Sequence, residues 1–163
     1  MRNDVTDEKG NREQGTGNRN SGCRTGNDTR KELTMIDTRV DDYKDLIAWK
    51  RAMELTKTAY LLARLLPREE NYALADQIRR SSVSIPSNIA EGYGRTSPKE
   101  YALFLSVARG SSYELETQII LCVDLGYIQE ADTVKAIGLC KEVARILPRI
   151  LQSLGNKQAI KAR

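Results

Sequence analysis

Histidine is absent from this chain of 163 residues, and aromatic residues make up only 6% of it. Without histidine the chain lacks the commonest general base and the commonest side-chain metal ligand. Di-iron bundles built on Glu-x-x-His pairs, and serine hydrolases that a histidine activates, are therefore excluded.

Long apolar runs are also missing. No uninterrupted apolar run approaches the roughly 20 residues that a membrane-spanning helix requires. The N-terminus is polar and contains no apolar signal core. We therefore expect a cytoplasmic protein that does not enter a membrane.

Cysteine is scarce and offers no obvious chemistry. Cys23, Cys122 and Cys140 are odd in number and share no metal-ligand spacing, which favours reduced thiols. No phosphate-binding glycine motif is present. Glu114 and Glu116 are two residues apart, so on a helix they point about 200° from each other and cannot form a catalytic pair. The sequence predicts a protein that is not an enzyme and that holds no cofactor or metal.

The overall composition suits one folded domain. Apolar residues make up 40% of the chain, and its length is sufficient for a sizeable core. The net charge is +4 and the isoelectric point is about 9.0. Such mild basicity is compatible with nucleic-acid binding but does not identify it.

The first part of the chain contrasts with the rest. Residues 1–34 are rich in Gly, Asn, Arg and Thr and contain almost no large apolar side chains, so we predict a disordered N-terminal extension over residues 1–38. It is either an arm that touches nucleic acid or an extension without function. Seven basic side chains face six acidic ones in residues 1–34, which favours the second interpretation. The composition changes at Met35, a candidate start of translation.

Four later segments repeat apolar residues in alternating steps of three and four, which is typical of amphipathic helices. They span residues 45–66, 71–92, 98–125 and 130–154. Short connections between them predict an all-α, antiparallel up-down-up-down four-helix bundle over residues 41–155, followed by a frayed polar tail over 156–163. No alternation of period two indicates a sheet. The first helix carries two apolar stripes, so it should contact two or more neighbours.

Several local signals refine the helices. Pro86 removes a backbone donor from the second helix and should kink it, and neighbouring serine hydroxyls could take up the carbonyl that it frees. Pro148 should kink the fourth helix or shorten it to about Leu147. Ser97, followed by proline and then by Glu100, predicts a capping box at the start of the third helix.

Basic side chains recur at helical spacing and are candidate phosphate ligands. Three recur every seven residues on the first helix, three every four residues on the fourth helix, and three lie at loop ends. The alternative is a solvated surface with local ion pairs, which the sequence does not separate from the first interpretation. The nine candidates are Lys50, Lys57, Arg64, Lys141, Arg145, Arg149, Arg68, Arg95 and Lys99.

Four polar side chains lie in helix segments that are otherwise small or apolar. They are Arg80, Asn88, Glu114 and Gln118. We expect them to form a satisfied network between helices that sets the register of packing.

Two strings of residues resemble a known family. Gln77–Arg80 together with Ser84–Gly92 forms the first string, and Ala108–Gln118 forms the second. Over about residues 43–154 the chain resembles the bacterial four-helix-bundle family of proteins from 23S ribosomal RNA intervening sequences. It also resembles the accessory variability proteins of diversity-generating retroelements. The motif residues that carry this resemblance are Arg80, Pro86, Asn88, Glu91, Gly92, Gly110, Ser111, Glu114 and Gln118.

The resemblance implies a four-helix protomer, a homopentameric barrel, a basic surface and no known catalysis. The retroelement relatives bind nucleic acid and a reverse transcriptase. The first hypothesis is therefore a non-enzymatic homo-oligomer that binds RNA or structured nucleic acid. The nucleic acid could be RNA or DNA. The alternative is a protein-interaction scaffold or accessory subunit, for example of a reverse transcriptase, without direct nucleic-acid binding.

Deletion of residues 1–34 tests the predicted extension. Because this segment lacks apolar side chains, its removal should leave the core intact, and the thermal midpoint should stay within about 2 °C of that of the full chain. Differential scanning calorimetry of both proteins measures this. A larger drop would show that the extension packs on the folded domain.

Overall fold

The computed structural model describes residues 41–161, with side chains described as far as Leu154. The predicted extension over residues 1–38 and Cys23 lie outside this range. Four helices follow in order: α1 (Ile47–Ala63), α2 (Leu74–Tyr93), α3 (Pro98–Asp124) and α4 (Glu130–Lys161). Short 3-10 helices at Tyr43–Asp45 and Arg68–Tyr72 precede α1 and α2. The described residues contain no strand, so the prediction of an all-α bundle is confirmed.

The helices occupy the corners of a square in chain order. α1 packs against α2 and α4, and α3 packs against the same two helices. Ion pairs join Arg51 to Glu142 and Glu54 to Lys135, so α1 and α4 run in opposite directions. This arrangement is compatible with the predicted up-down-up-down order. The α1–α2 side and the α3–α4 side are consequently opposite faces of the bundle.

The core is aliphatic and lies along the axis of the bundle. Each helix contributes one stripe of buried side chains, among them Leu55, Ile85, Leu115 and Leu147, which are all fully buried. Within residues 41–154 every buried side-chain nitrogen or oxygen has a hydrogen-bond partner. None of the described helices combines the length and the hydropathy that crossing a membrane demands.

The helix ends differ from the predictions in several places. α1 is shorter than the predicted 45–66 at both ends, and α4 continues past the predicted 154 to Lys161. α2 begins at Leu74 because the residues before it form a 3-10 helix. Ser97 precedes α3, but its side chain makes no capping hydrogen bond, so the predicted capping box is wrong. α4 passes through Pro148 without interruption, so of the two predicted effects of this proline, a kink or an end near Leu147, the second does not occur.

The end of α3 agrees with the sequence pattern. Gly126 has a φ of 73°, in the left-handed region that residues with a side chain rarely adopt. This conformation turns the amide of Tyr127 back to the carbonyl of Cys122, 2.9 Å away. The chain thereby reverses into the short connection that leads to α4.

Pro86 lies inside α2, fully enclosed by the bundle, and α2 continues past it. A proline has no amide hydrogen, so the carbonyl of Ser82, four residues earlier, loses its helical partner. The hydroxyl of Thr56 on α1 lies 2.7 Å from this carbonyl and 2.9 Å from the carbonyl of Ala52 in its own helix. A hydrogen bond from α1, rather than a serine of α2, thus satisfies the acceptor that the proline frees.

The serines near Pro86 have other partners. Ser81 donates to Oε1 of Gln118 on α3 at 2.7 Å, and the hydroxyls of Ser84 and Ser111 lie 2.8 Å apart. Asn88 donates to the carbonyl of Ser84 at 2.8 Å and to its hydroxyl at 3.0 Å. These contacts form a polar seam between α2 and α3, with the residue numbers rising in one helix as they fall in the other.

Of the four residues predicted to form a network, Asn88 and Gln118 lie in the seam, Glu114 lies at its edge and Arg80 lies outside it. Gln118 also donates to Glu114 at 3.1 Å, but Glu114 is exposed. Arg80 does not enter the seam, because its side chain is 74% exposed and pairs with Asp76 of its own helix. The prediction of a buried network that includes Arg80 is therefore wrong.

Two glycines of the motif differ in what surrounds them. A Cβ on Gly92 would lie 2.8 Å from Cβ of Phe104 and 2.9 Å from Cδ2 of Tyr101, both on α3. A Cβ on Gly110 would meet nothing within 4 Å. The missing side chain of Gly92 therefore permits the close approach of α2 and α3, whereas Gly110 faces open space.

Thr56→Val tests the hydrogen bond from α1 to α2. The change keeps the shape of the side chain but leaves the carbonyl of Ser82 without its donor, so the free energy of unfolding should fall by about 1–3 kcal/mol. Thr58→Val is the matched control, because the hydroxyl of Thr58 bonds only within its own helix, to Glu54. Urea denaturation measures both variants.

A double-mutant cycle with Pro86→Ala sharpens this test. Alanine restores the amide that can donate to the carbonyl of Ser82, so Thr56→Val should cost less in the Pro86→Ala background than in the natural chain. Equal costs in both backgrounds would contradict the compensation between Thr56 and Pro86.

The two glycines provide a second matched pair. Gly92→Ala should lower the free energy of unfolding by about 1–3 kcal/mol, because the added methyl overfills the contact with α3. Gly110→Ala should raise it by about 0.5–1 kcal/mol, since alanine is the better helix former and has room. Similar midpoints for both variants in thermal denaturation would contradict this, because they would show that α2 and α3 accommodate a methyl group at position 92 without a loss of stability.

Candidate nucleic-acid interface

The candidate cations of α1 lie on one outward line, which we call the α1 line: Lys50, Lys57 and Arg64. The three side chains are exposed, and the line is about 21 Å long at the rise of an α-helix. Lys50 pairs with Asp45 at 3.2 Å. Lys57 and Arg64 form no ion pair within the described part of the chain. Two of the three cations are thus available to an outside partner.

A shallow groove of about 450 Å³ follows the α1 line where α1 meets α2. Its lining is mostly apolar and includes Met53, Tyr60 and Val83, while Lys57 and Arg64 stand at its edge. The lining contains no acidic side chain among the described residues. We call this the basic groove.

The candidate cations of α4 form the α4 line: Lys141, Arg145 and Arg149. Each step of four residues rotates the side chain by about 40° around the helix, so the line does not stay on one face. Lys141 borders the groove between α3 and α4, and Arg145 is exposed. Arg149 is half-buried and interacts with another group of the protein.

The two lines do not merge into one patch. Between them lies a cluster of paired charges, in which Arg51 contacts Glu54 and Glu142 at 3.0 Å and Lys135 contacts Glu54 at 3.1 Å. The hydrogen bond from Lys135, followed by that from Arg51, lowers the pKa of Glu54, and the charge of Glu142 raises the pKa of Arg51. Both shifts favour the ionised forms of Glu54 and Arg51, and the cluster contains two acidic and two basic side chains. The α1–α4 face is therefore locally neutral.

The lines are also offset along the bundle. Because Arg51 is opposite Glu142 on the antiparallel helix, Lys50 and Lys141 lie at similar heights. From there the α1 line runs towards one end of the bundle, and the α4 line runs towards the other. The cations are therefore spread over the length of the protein.

The cations at the loop ends fall into two groups at opposite ends of the bundle. Arg68 follows α1 and is exposed. Arg95 and Lys99 lie where α2 passes into α3. The guanidinium of Arg95 pairs with Glu91 and stacks 4.8 Å from the ring centroid of Phe104, so its charge serves the fold. Lys99 is exposed and forms no ion pair with the side chains described up to Leu154.

A second groove, of about 570 Å³, lies between α3 and α4. Its lining includes Ile120, Val123, Val134 and Ile137, and its edge carries more acid than base. The charged residues at the edge are Glu116, Asp124, Glu130 and Lys141. We call this the acidic groove. The sequence interpretation missed it, although the spacing of Ile120, Val123, Val134 and Ile137 marks a second apolar stripe on each helix.

The described residues offer little for chemistry. Burial raises the pKa of the Cys122 thiol to about 11 and that of Cys140 to about 12, so both are protonated at neutral pH and are poor nucleophiles. A hydrogen bond to Glu70, at 3.1 Å, raises the pKa of Tyr127. No group of three potential ligands among these residues is arranged to hold a metal ion.

Comparison with known proteins identifies one family. No curated protein matches the chain. The sequence profile of one family, described as the 23S rRNA-intervening sequence protein, matches residues 44–149. The match covers the whole of α1, α2 and α3 and the part of α4 that ends at Arg149. It includes the seam between α2 and α3. The chain therefore belongs to the family of 23S rRNA-intervening sequence proteins.

Proposed function

We propose that the protein is a non-catalytic, cytoplasmic homo-oligomer, a homopentamer, that binds RNA or structured nucleic acid through its exposed cations. Lys141 and Arg145 of the α4 line supply the main contacts, together with Lys99 and Arg68 at the ends of the bundle. The α1 line adds contacts where it stays exposed to solvent in the assembly.

The observation that carries this proposal is the set of cations without a partner. Several other basic side chains on the same surface are paired: Lys44 with Asp42, Arg80 with Asp76 and Lys135 with Glu54. The following exposed cations form no ion pair within residues 41–154: Lys57, Arg64, Arg68, Lys99, Lys141 and Arg145.

A protein gains little stability from unpaired surface cations, but each one can neutralise a phosphate and release its counterions. The family description associates such proteins with an intervening sequence of 23S rRNA, which supports a nucleic-acid partner. The net charge of +4 acts in the same direction.

Oligomerisation would make this weak surface effective. The unpaired cations of one protomer are few and widely spaced, so one protomer should bind phosphates only weakly. Copies held together present the same cations several times to one strand, and the combined affinity rises without any new kind of contact. Such binding should depend strongly on salt and weakly on sequence.

Simultaneous change of Lys99, Lys141 and Arg145, three exposed cations without an ion pair among the described residues, to glutamine tests the proposal. Binding of labelled structured RNA and duplex DNA should weaken for every sequence, and the log–log salt slope should flatten by about one unit for each phosphate that is no longer neutralised. Fluorescence anisotropy at several salt concentrations measures both quantities. Light scattering on the same samples shows whether the assembly is intact.

The matched control replaces three paired cations, Lys44, Arg80 and Lys135, with glutamine. It changes the net charge equally but should leave the salt slope closer to that of the natural protein. If the natural protein shows no binding below about 100 μM at low salt, where non-specific binders reach that range or tighter, nucleic-acid binding is ruled out.

One observation favours a second candidate function, an accessory protein that docks another protein. The outer face of α3 carries Leu103, Val107 and Leu121, which are 62%, 44% and 44% exposed. Their spacing of four and then fourteen residues keeps them on one stripe. Retention of a protein partner by the natural chain, with loss of retention by Leu103→Glu and no nucleic-acid binding by either, would support this candidate.

A further inference from the structure

The basic groove and the acidic groove lie on opposite faces of the same bundle. The first runs between α1 and α2 and the second between α3 and α4. Because the helices occupy the corners of a square in chain order, these two edges cannot meet within one protomer. They can meet only between two copies of the chain.

Both grooves expose apolar side chains that the monomer leaves uncovered. In the basic groove Leu61 is 60% exposed and Val83 is 41% exposed. In the acidic groove Val134 is 67% exposed and Ile120 is 50% exposed. Contact between the two grooves would remove these side chains from water, which favours association.

The charges at the edges of the grooves are opposite in sign. The basic groove carries Lys57 and Arg64 and no acid among the described residues. The acidic groove carries three carboxylates and the single ammonium of Lys141. Complementary charges around an apolar centre are the usual arrangement of a protein–protein interface.

The spacing of these charges also corresponds. Lys57 and Arg64 are seven residues apart, which is about 10.5 Å along a helix. Glu116 and Asp124 are eight residues apart on α3, or about 12 Å. Around their helix axes the two carboxylates are about 80° apart and the two cations about 20° apart. Flexible side chains must therefore bend towards each other for each cation to face one carboxylate.

We infer that the basic groove of one protomer binds the acidic groove of a second copy, with Lys57 and Arg64 facing Glu116 and Asp124 across the contact. The inference rests on the homo-oligomer of the proposed function and specifies which surfaces build it. The contact is head-to-tail, since two different surfaces meet, and its repetition gives a ring when the rotation from copy to copy closes and an open filament when it does not. The proposed homopentamer requires the first case. Lys57, Arg64 and Lys141 then lie at the subunit interface, and nucleic acid is left to Arg145 and the cations at the ends of the bundle.

Reversal of the charges on one face tests the contact. The variant Lys57→Glu with Arg64→Glu should form the assembly at least about tenfold more weakly, because like charges then face each other. The variant Glu116→Lys with Asp124→Lys should lose assembly to the same extent. Light scattering over a range of protein concentrations measures the mass of each.

A mixture of the two variants is the decisive sample. One variant is acidic on both faces and the other is basic on both, so they should bind each other although neither assembles alone. Because a ring of five cannot alternate two variants throughout, the mixture should form complexes with an even number of protomers rather than regain the natural mass. The matched control, Lys44→Glu with Arg80→Glu, reverses two exposed cations outside both grooves and should keep the natural mass.

Val134→Glu is an independent variant that does not alter the charged pairs. This side chain is 67% exposed in the protomer, so the fold should survive while the apolar centre of the contact is disrupted. Leu103→Glu, at a site with 62% exposure on the outer face of α3, is its control. The first variant should lose mass and the second should not, with equal helicity by circular dichroism.

The outcomes separate this inference from the proposed function. If the natural protein is monomeric, the proposed homo-oligomer fails and this contact fails with it. If it is oligomeric and the charge-reversed variants keep its mass, only this contact is overturned. Loss of RNA binding by Lys57→Glu with Arg64→Glu at unchanged mass would likewise overturn it and make the basic groove a nucleic-acid surface.

Discussion

The packing of this bundle depends on the hydrogen bond from the hydroxyl of Thr56 to the carbonyl of Ser82, over 2.7 Å. It joins α1 to α2 at the point where Pro86 removes the helical donor. The serines around the proline are consequently free to pair with α3 through Gln118 and Ser111. α2 is thereby bonded to α1 on one side and to α3 on the other, while α4 packs on α1 and α3 through the aliphatic core.

That arrangement explains why the surface behaves as separate faces rather than as one basic patch. The paired charges of Arg51, Glu54, Lys135 and Glu142 make the α1–α4 face neutral, and the α2–α3 face is closed by the seam and by the close approach at Gly92. The other two faces carry the basic and acidic grooves. Among the described residues, a basic side chain is therefore paired on one face and without an ion pair on another, although the sequence alone does not distinguish the two cases.

Several features could be predicted from the sequence because they depend on local periodicity. The four helices and the aliphatic stripes follow from spacing within single segments, and the family follows from two distinctive strings. The capping box at Ser97 failed because the required side-chain hydrogen bond does not form. The role of Arg80 failed because a smooth helical pattern does not reveal whether a long side chain turns inward or pairs with a neighbour such as Asp76.

The sequence by itself determined the fold class, the number of helices and the absence of histidine-based chemistry, because these depend on residue type and on steps of three and four along the chain. Tertiary structure alone decided which donor serves the carbonyl of Ser82, which of the described cations remain without a partner, and that the two grooves face in opposite directions. The reason is physical. Each of these properties joins residues that are tens of positions apart, and only the packing of the helices brings them together or holds them apart.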